Sequence, residues 1–355
     1  METEGGLRVT HIKHLYGGVR CECGHVTHTQ PGRCAQEEEW SVKLTEWHLV
    51  GSTLLSLIIC LSQRLRLSRP KIKEFLQDWL GIDLSVGCIN QCLHEGGRAV
   101  APVEEELIEA VKQSGLLHVD ETPWKENGQL KWLWVLTTHS VVLFLIGSRK
   151  AEVIADYLDE FGGWLMSDGY GVYRAYGQRL RCWAHLLRKA RGLAESSHQT
   201  AHQFGAKIVE WLRLFMEAVY RAREGPTAHL KEELAEELAA FQCWCEQHRE
   251  SEHEKTRQLA REFLNDWEAI WSVLAHPDLP LTNNLAEQFL RHWVIARRIS
   301  FGTRSPQGSR AFALLASVIE TCRLHLVSPW PYLAQVIAAR RKGEPVPPLP
   351  FSLAC

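Results

Sequence analysis

The sequence predicts an α/β protein in which a large helical insertion interrupts an α/β core and a helical region precedes that core. Three observations support this fold class. Short β-rich runs concentrate in residues 114–185, helical periodicity fills residues 40–113 and 186–281, and Pro277 and Pro280 end the second helical block. A chain of 355 residues is long enough for two or three domains with a substantial core.

The bulk composition limits the classes of partner. A formal net charge of −2 excludes a uniformly basic surface, so nucleic-acid binding would have to come from local basic patches. The longest apolar run, residues 49–61, is too short to span a bilayer, so we expect no membrane partner. We also expect no secretory signal. Because the 11 cysteines are odd in number and mostly isolated, we expect no disulfide framework and a reducing cytoplasm.

The helical region at residues 40–113 contains a candidate DNA-binding unit. Residues 70–80 and 88–100 predict two helices joined by a short turn at 81–87, which resembles a helix-turn-helix with the second helix as the reader. The alternative is an αα-hairpin that only packs. DNA contact is favoured by five basic residues that lead into and open the first helix, with no acidic residue from the first of them until Glu74: Arg64, Arg66, Arg69, Lys71 and Lys73.

Residues 114–185 predict a sheet. The strands are residues 116–119, 130–138, 141–146, 164–167 and 180–184, with a helix at 149–161 that Ser148 would cap and a short aromatic helix after 169. Three meandering strands, a helix, a strand, a helix and a strand match the order of a ribonuclease-H-like core. The first strand runs into Asp120 and the fourth into Asp168, and in such a sheet these two strands are neighbours.

The remainder of the chain is predicted to be helical up to a tail. After the insertion at residues 186–281, Thr282, Asn283 and Asn284 offer caps for a helix at 285–298 that carries Glu287. A further helix is expected at 309–326. Residues 327–355, with four prolines between 345 and 350, predict a C-terminal tail.

Asp120, Asp168 and Glu287 are the candidate catalytic and metal-binding residues. Two-metal phosphodiester chemistry uses two divalent ions, Mg²⁺ or Mn²⁺, and these hard ions prefer carboxylate oxygens. Each residue also has a local interpretation: Asp120 begins a turn, Asp168 precedes Gly169 in a turn dipeptide, and Asn284 to Glu287 forms a capping box. Their joint placement on two adjacent strands and a later helix favours the metal site.

Two basic segments lie near these carboxylates in sequence. Helical spacing places Glu287, Arg291 and Arg298 on one face, and Arg297 and Arg304 follow without an intervening acid, which suits contact with phosphates. The alternative is a solvated basic face. Residues 169–194 contain six basic residues, including Arg188 and Lys189, with interleaved aromatics that would either stack on unpaired bases or belong to the core.

Five motifs occur in order: His118-Val-Asp-Glu-Thr-Pro-Trp124, Ser167-Asp-Gly-Tyr170, Cys182-Trp-Ala-His-Leu-Leu-Arg-Lys189, Asn283-Asn-Leu-Ala-Glu287 and Arg297-Arg-Ile-Ser-Phe-Gly302. Together they resemble the insertion sequence 66 family of bacterial transposases over residues 17–349. The resemblance implies a DDE triad on Asp120, Asp168 and Glu287, and a helical insertion before the glutamate.

Two cysteine-containing motifs invite a metal interpretation. The pair Cys182 and His185 looks like the C-x-x-H signature of several DDE transposase groups; two ligands are too few for zinc, so we favour a buried structural or DNA-end-positioning role. Relatives in the resembled family generally carry a zinc-ribbon-like region with two cysteine knuckles. Residues 1–39 look like a partial version of that region, shorter than in those relatives. Its candidate Zn²⁺ ligands are Cys21, Cys23, His25 and Cys34.

The function expected from these features is metal-dependent DNA cleavage and strand transfer at the ends of an insertion sequence. The expected partners are double-stranded DNA, as terminal inverted repeats and target, a homo-oligomer formed on DNA, and element-encoded accessory proteins. The expected location is the cytoplasm, at the nucleoid. One alternative is an inactive or domesticated transposase that only binds DNA. A second is a ribonuclease-H-like nuclease without strand transfer.

Overall fold

The computed structural model describes residues 9–11, 18–28, 49–225 and 229–350. The chain divides into two compact units. The first unit consists of the described residues up to Leu107, the segment Lys125–Gln129 and the chain from Ala296 onward. The second unit consists of Ile108–Trp124 and Leu130–Ile295. Within the described ranges, no helix is long and apolar enough to cross a membrane.

The elements are numbered in chain order. The strands are β1 (Gly18–Arg20), β2 (Val26–His28), β3 (Leu116–Glu126), β4 (Gln129–Thr137), β5 (Val142–Gly147), β6 (Trp164–Ser167) and β7 (Arg179–Arg181). The helices are α1 (Ser52–Ile59), α2 (Arg69–Leu80), α3 (Val86–Ala99), α4 (Val103–Lys112), α5 (Glu152–Leu158), α6 (Trp183–Ala194), α7 (Gln199–Glu224), α8 (Leu230–Glu233), α9 (Ala235–His248), α10 (Glu254–Asn265), α11 (Trp267–Ala275), α12 (Asn284–Ser300), α13 (Pro306–Leu324) and α14 (Pro329–Lys342). A π-helical turn, Cys60–Arg64, follows α1, and a 3₁₀ turn, Gly171–Ala175, follows β6.

A five-stranded mixed sheet lies in the second unit, with strand order β5-β4-β3-β6-β7. β3 pairs with β6 in parallel from Leu116 opposite Trp164 to His118 opposite Met166. β6 pairs with β7 in parallel, and β4 pairs with β5 in antiparallel fashion. The prediction that the strands leading to Asp120 and Asp168 are neighbours is therefore confirmed.

β3 is longer than the sequence predicts. The predicted strand ends at residue 119, whereas β3 continues to Glu126, so Asp120 lies inside the strand. β3 pairs with β6 only from Leu116 to His118, and β4 is its neighbour on the other side. Asn127 and Gly128, with φ of 48° and 78°, join these two strands in a two-residue hairpin loop. Trp124, on the extension, is buried.

The helix after β5 is shorter than predicted. The pattern predicts a helix over residues 149–161 capped by Ser148, whereas α5 spans only Glu152–Leu158 and its N-cap is Ala151. Two contacts engage the residues that precede the helix. The Ser148 carbonyl accepts a hydrogen bond from Trp134 Nε1 at 3.1 Å, and the Arg149 side chain is bound by Glu121.

The predicted helix pair of the first unit is α2 and α3. Ser68 caps α2 by accepting a hydrogen bond from the Lys71 amide, and Ser85 caps α3 by accepting one from the Cys88 amide. Gly81 ends α2 at φ 65°, a left-handed conformation that glycine adopts without strain. The turn between the helices is therefore fixed by local capping chemistry.

The helical insertion packs around an aromatic cluster. Trp271 contacts Phe215 at 4.8 Å, Phe241 at 5.1 Å and Trp183 at 5.3 Å between ring centroids. The indole Nε1 of Trp183 also donates a hydrogen bond of 3.0 Å to the Ile270 carbonyl. Since Trp183 is the first residue of α6, these contacts tie the insertion to the end of the sheet.

The segment predicted to be a C-terminal tail contains a helix, α14. Its first residues include Pro329, and Gly343 ends it at φ 73°. Leu333, Val336 and Ile337 are fully buried, so α14 belongs to the core of the first unit. The prolines of the region obscure this helix in the sequence, although proline suits the first helical turn.

Candidate active site

Asp120 lies on β3 in a strongly acidic environment. Its Oδ1 accepts a hydrogen bond of 2.8 Å from the Glu121 amide. Burial raises the pKa of Asp120 to about 7, and the negative charges of Asp168, Glu121 and Glu287 add to this increase against the opposing amide contact. The three predicted catalytic carboxylates are therefore close enough to influence one another.

Asp168 directly follows β6, at the carboxyl end of the strand that pairs with β3. Its Oδ1 accepts a hydrogen bond of 2.8 Å from the Tyr170 amide. This local bond fixes the carboxylate at the turn, as expected for an aspartate that precedes glycine. The prediction that Asp168 lies in a turn is therefore correct. The hydrogen bond of this turn uses only Oδ1 and does not involve the second carboxylate oxygen, Oδ2.

Glu287 lies in the first turn of α12, and its position depends on Asn283. The Glu287 amide donates to the Asn283 carbonyl at 3.2 Å. The Asn283 side chain, predicted to be a cap, instead binds β3: Nδ2 donates to the Val119 carbonyl at 2.8 Å, and Oδ1 lies 3.0 Å from His118 Nδ1. Asn283 is fully buried, so it connects the strand of Asp120 to the helix of Glu287.

Glu121 is a fourth carboxylate beside the three predicted catalytic carboxylates, and both of its oxygens are occupied. Oε1 accepts from Arg149 Nε at 3.1 Å and Nη2 at 2.8 Å, and Oε2 accepts from the Tyr173 hydroxyl at 2.8 Å. The Arg149 guanidinium also lies 4.0 Å from the ring centroids of Trp132 and Tyr170. With both oxygens engaged, Glu121 positions its neighbours and is a poor candidate for a metal ligand.

Cys182 and His185 lie against the same helix turn as Glu287. Cys182, the residue before α6, is buried, and its Sγ accepts a hydrogen bond from the Asn283 amide at 3.3 Å. His185 Nδ1 lies 3.8 Å from Glu287 Oε1. The donor atoms of Cys182, His185 and Glu287 all lie within 4.8 Å of one another. The sequence predicted the first two residues as a motif but not their third neighbour.

The predicted basic residues fall into three groups. Some are engaged in ion pairs: Arg64 with Glu320 at 3.2 Å, Lys73 with Asp83 at 3.3 Å, and Lys189 with Glu262 at 2.7 Å. The exposed ones are Arg69, Lys71, Arg188, Arg291, Arg298 and Arg304, whereas Arg66 and Arg297 are half-buried. The Arg64 pairing with a buried carboxylate favours a structural role over DNA contact.

A basic cluster in the first unit contains two residues that the sequence prediction missed, His94 and Arg98. Partial burial lowers the pKa of His94, and the positive charges of Arg98 and Arg69 lower it further. Arg69 is exposed when its side chain is taken as a whole, but its Nε donates a hydrogen bond of 3.0 Å to Asn90 and its guanidinium is partly desolvated; this desolvation lowers the pKa of Arg69, with a further contribution from Arg304. Because like charges repel, this concentration of cations suits an anionic partner.

The N-terminal zinc candidates are only partly described. Cys21 and Cys23, in the turn between β1 and β2, are joined by a disulfide, and His25 is exposed. Cys34 lies outside the described residues. Thiols joined in a disulfide cannot serve as zinc thiolates, so a zinc site at these residues would require the reduced pair.

Comparison with known proteins finds a match to the family model described as "Transposase IS66 family" over residues 48–311. Among similar proteins of Sinorhizobium fredii, the uncharacterized protein y4qI is 26% identical over 304 residues, 76% of this chain and 56% of the relative. The uncharacterized protein y4hP is 25% identical over 297 residues, 73% of this chain and 54% of the relative. The chain thus spans about half the length of these relatives.

Proposed function

Since the chain belongs to the transposase IS66 family, we propose that it is a DNA transposase of the DDE type that cleaves and joins DNA at the ends of an insertion sequence. Asp120, Asp168 and Glu287 form its catalytic triad on a ribonuclease-H-like sheet. The observation that carries the proposal is the parallel pairing of β3 with β6 beside the first turn of α12, since these three elements bear the three carboxylates.

The donor set suits divalent metal ions. Burial together with three neighbouring negative charges raises the pKa of Asp120, which means that the ionised cluster lacks sufficient counter-charge from the protein. Glu287 adds a further carboxylate whose negative charge acts on Asp120. Hard oxygen donors with excess negative charge fit Mg²⁺ or Mn²⁺.

Asp120, Asp168 and Glu287 would hold these ions. When bound, the ions activate the attacking oxygen and stabilise the leaving oxygen of the phosphodiester. The protein side chains set the geometry: the Tyr170 amide orients Asp168, Asn283 fixes the start of α12, and the Glu121–Arg149 pair holds the segment beside Asp120. No side chain of this group is assigned a proton-transfer role.

DNA binding is assigned to the first unit. We assign the sequence-reading role to α3, with the basic cluster of Arg69, His94, Arg98 and Arg304 contacting phosphates. The assignment follows from the short capped turn between α2 and α3 and from the concentration of positive charge there. The DNA partners proposed are the inverted repeats of the element and its target, bound by an oligomer.

The experiment is a strand-transfer assay with pre-cut duplexes taken from the inverted repeats that flank the gene. We expect joining to require Mg²⁺ or Mn²⁺, and Asp120→Asn, Asp168→Asn and Glu287→Gln each to reduce it by at least 100-fold while DNA binding persists. Asp156→Asn, an exposed acid on α5, is the matched control and should retain full activity. Joining by any of the three variants at the wild-type rate would refute the triad.

Two other outcomes identify the alternatives. Binding of the repeat DNA without any cleavage or joining would indicate an inactive transposase that only binds DNA. Cleavage that is metal-dependent but never followed by joining would indicate a nuclease. The assay therefore separates the three functions with one set of substrates.

A further inference from the structure

We propose that Cys182, His185 and Glu287 form a second metal site, one that takes a thiolate-preferring divalent ion of the Zn²⁺ class. The three donor atoms, a sulfur, an imidazole nitrogen and a carboxylate oxygen, lie within 4.8 Å of one another. They come from the start of α6 and the first turn of α12. The C-x-x-H pair thus gains the third ligand that it lacks in sequence.

Two of these donor atoms are buried polar atoms that make no hydrogen bond within the described part of the chain. They are His185 Nδ1 and Glu287 Oε1. Their separation of 3.8 Å is too long for a hydrogen bond. It is close to the spacing of about 3.5 Å between donor atoms that tetrahedral zinc–ligand bond lengths imply. A cation between them would satisfy both atoms at once.

The chemistry of the donors distinguishes this site from the proposed Mg²⁺ site. Mg²⁺ prefers oxygen ligands and does not select a thiolate, whereas zinc accepts sulfur, imidazole and carboxylate together. A bound zinc ion deprotonates a coordinating thiol.

The local structure favours a partly open site. Cys182 is buried, but the side chains of His185 and Glu287 are 28% and 30% exposed, so an ion can enter from solvent. Three protein ligands leave a fourth tetrahedral position open. Because the ion would engage Oε1 of Glu287, it would restrain this carboxylate at the start of α12.

The test is cobalt binding by the full chain, with Cys21, Cys23 and Cys34 replaced by serine to remove the N-terminal thiols. Co²⁺ added to the dialysed protein should produce the near-ultraviolet absorption of a cobalt–thiolate bond, and the absorption should saturate at one thiolate-bound ion per chain. Zn²⁺ should displace it, and excess Mg²⁺ should not. The Cys243→Ser variant, which changes an exposed cysteine on α9, is the matched control and should keep the absorption.

Two variants test the ligands separately. Cys182→Ser should abolish the thiolate absorption, and His185→Gln, at a half-buried position, should weaken Co²⁺ affinity at least tenfold while the far-ultraviolet circular dichroism stays unchanged. Absence of the absorption in the parent protein, or its persistence in Cys182→Ser, would overturn the proposal. Because binding is measured without DNA, its failure leaves the strand-transfer test standing, and failure of strand transfer leaves this test standing.

Discussion

The buried side chain of Asn283 donates a hydrogen bond of 2.8 Å to the main-chain carbonyl of Val119, the residue before Asp120. The same side chain contacts His118, and the main-chain N–H of Asn283 donates a hydrogen bond to the sulfur of Cys182. One residue therefore joins the strand of one proposed catalytic acid to the helix of another and to the C-x-x-H pair. The distance between Asp120 and Glu287 depends on this junction.

Replacement of Asn283 should therefore reduce catalysis more than DNA binding. In Asn283→Ala the Val119 carbonyl loses its buried donor, which costs about 1–3 kcal/mol of unfolding free energy. We expect strand transfer to fall at least tenfold, with little change in the dissociation constant for DNA. Urea unfolding and a joining assay measure the two effects. Asn265→Ala, an exposed asparagine at the end of α10, should change neither; equal losses of joining and DNA binding in Asn283→Ala would argue against a positioning role.

The raised pKa of Asp120 predicts that the metal-free protein loses stability as pH rises. The unfolded-state pKa of aspartate is about 3.9, and the folded-state value is about 7, because of burial first and neighbouring charges second. The folded protein thus binds this proton more tightly than the unfolded chain does. The resulting contribution to the free energy of unfolding is fully present below about pH 4 and is lost by about pH 7. Each pKa unit is worth about 1.4 kcal/mol, so the loss amounts to a few kcal/mol.

Thermal unfolding at several pH values checks this expectation. In EDTA, the midpoint for Asp120→Asn should exceed the wild-type midpoint at pH 7.5 by several degrees and converge with it near pH 4, because the amide removes the titration. Mg²⁺ should raise the wild-type midpoint most at the higher pH. An identical pH dependence of the wild type and Asp120→Asn would show that this carboxyl does not hold the proton.

Arg149 neutralises the buried carboxylate of Glu121, whose side chain is 1% exposed. Arg149→Ala would leave this charge without its partner, at a cost on the order of 3 kcal/mol. The double variant Glu121→Gln/Arg149→Ala should recover part of that stability because it removes the orphaned charge. A double-mutant cycle from urea unfolding measures the coupling, and additive effects of the two substitutions would contradict the pairing.

Much of the fold can be predicted because its signals are local. The strand at 164–167, the hairpin of β4 and β5, and the helix pair α2 and α3 follow from short-range periodicity and capping residues. The extension of β3 past Asp120 is not a local property, because it depends on pairing with β4. The late start of α5 is not local either, since Arg149 is held by Glu121 across the sheet.

The site is predictable only in part for the same reason. Asp120 and Asp168 could be proposed because each follows a short apolar run that predicts a strand, and the expected core places the two strands side by side. His118 and Asn283 are 165 residues apart in sequence, and no periodicity connects positions so distant. The approach of Glu287 to Cys182 and His185 likewise emerges only when α6 and α12 are packed side by side.

Helix packing in the first unit predicts opposite effects for two glycines of α3. A Cβ at Gly97 would lie 2.4 Å from the Ala311 Cβ of α13, whereas a Cβ at Gly87 would meet only Ser85 Oγ at 3.7 Å. Gly97→Ala should destabilise the protein by about 1–3 kcal/mol through overpacking. Gly87→Ala should be neutral or stabilise it by up to about 1 kcal/mol through helix propensity. Chemical unfolding compares them, and equal effects would contradict the close packing of α3 on α13.

The basic cluster around Arg69 predicts a salt-dependent contribution to DNA affinity. If Arg69, Arg98 and Arg304 neutralise phosphates, each replacement by glutamine should weaken binding of repeat DNA and reduce the slope of log affinity against log salt by about 1. Arg249→Gln, an exposed arginine beside α9, should leave the slope unchanged. Titrations at several salt concentrations measure the slope, with circular dichroism as a check on folding. The slope reflects the number of phosphates that protein cations neutralise, because each neutralised phosphate releases its counterions. If the slope is unchanged when Arg69, Arg98 and Arg304 are all replaced, these three residues do not contact phosphates and DNA binds to another surface.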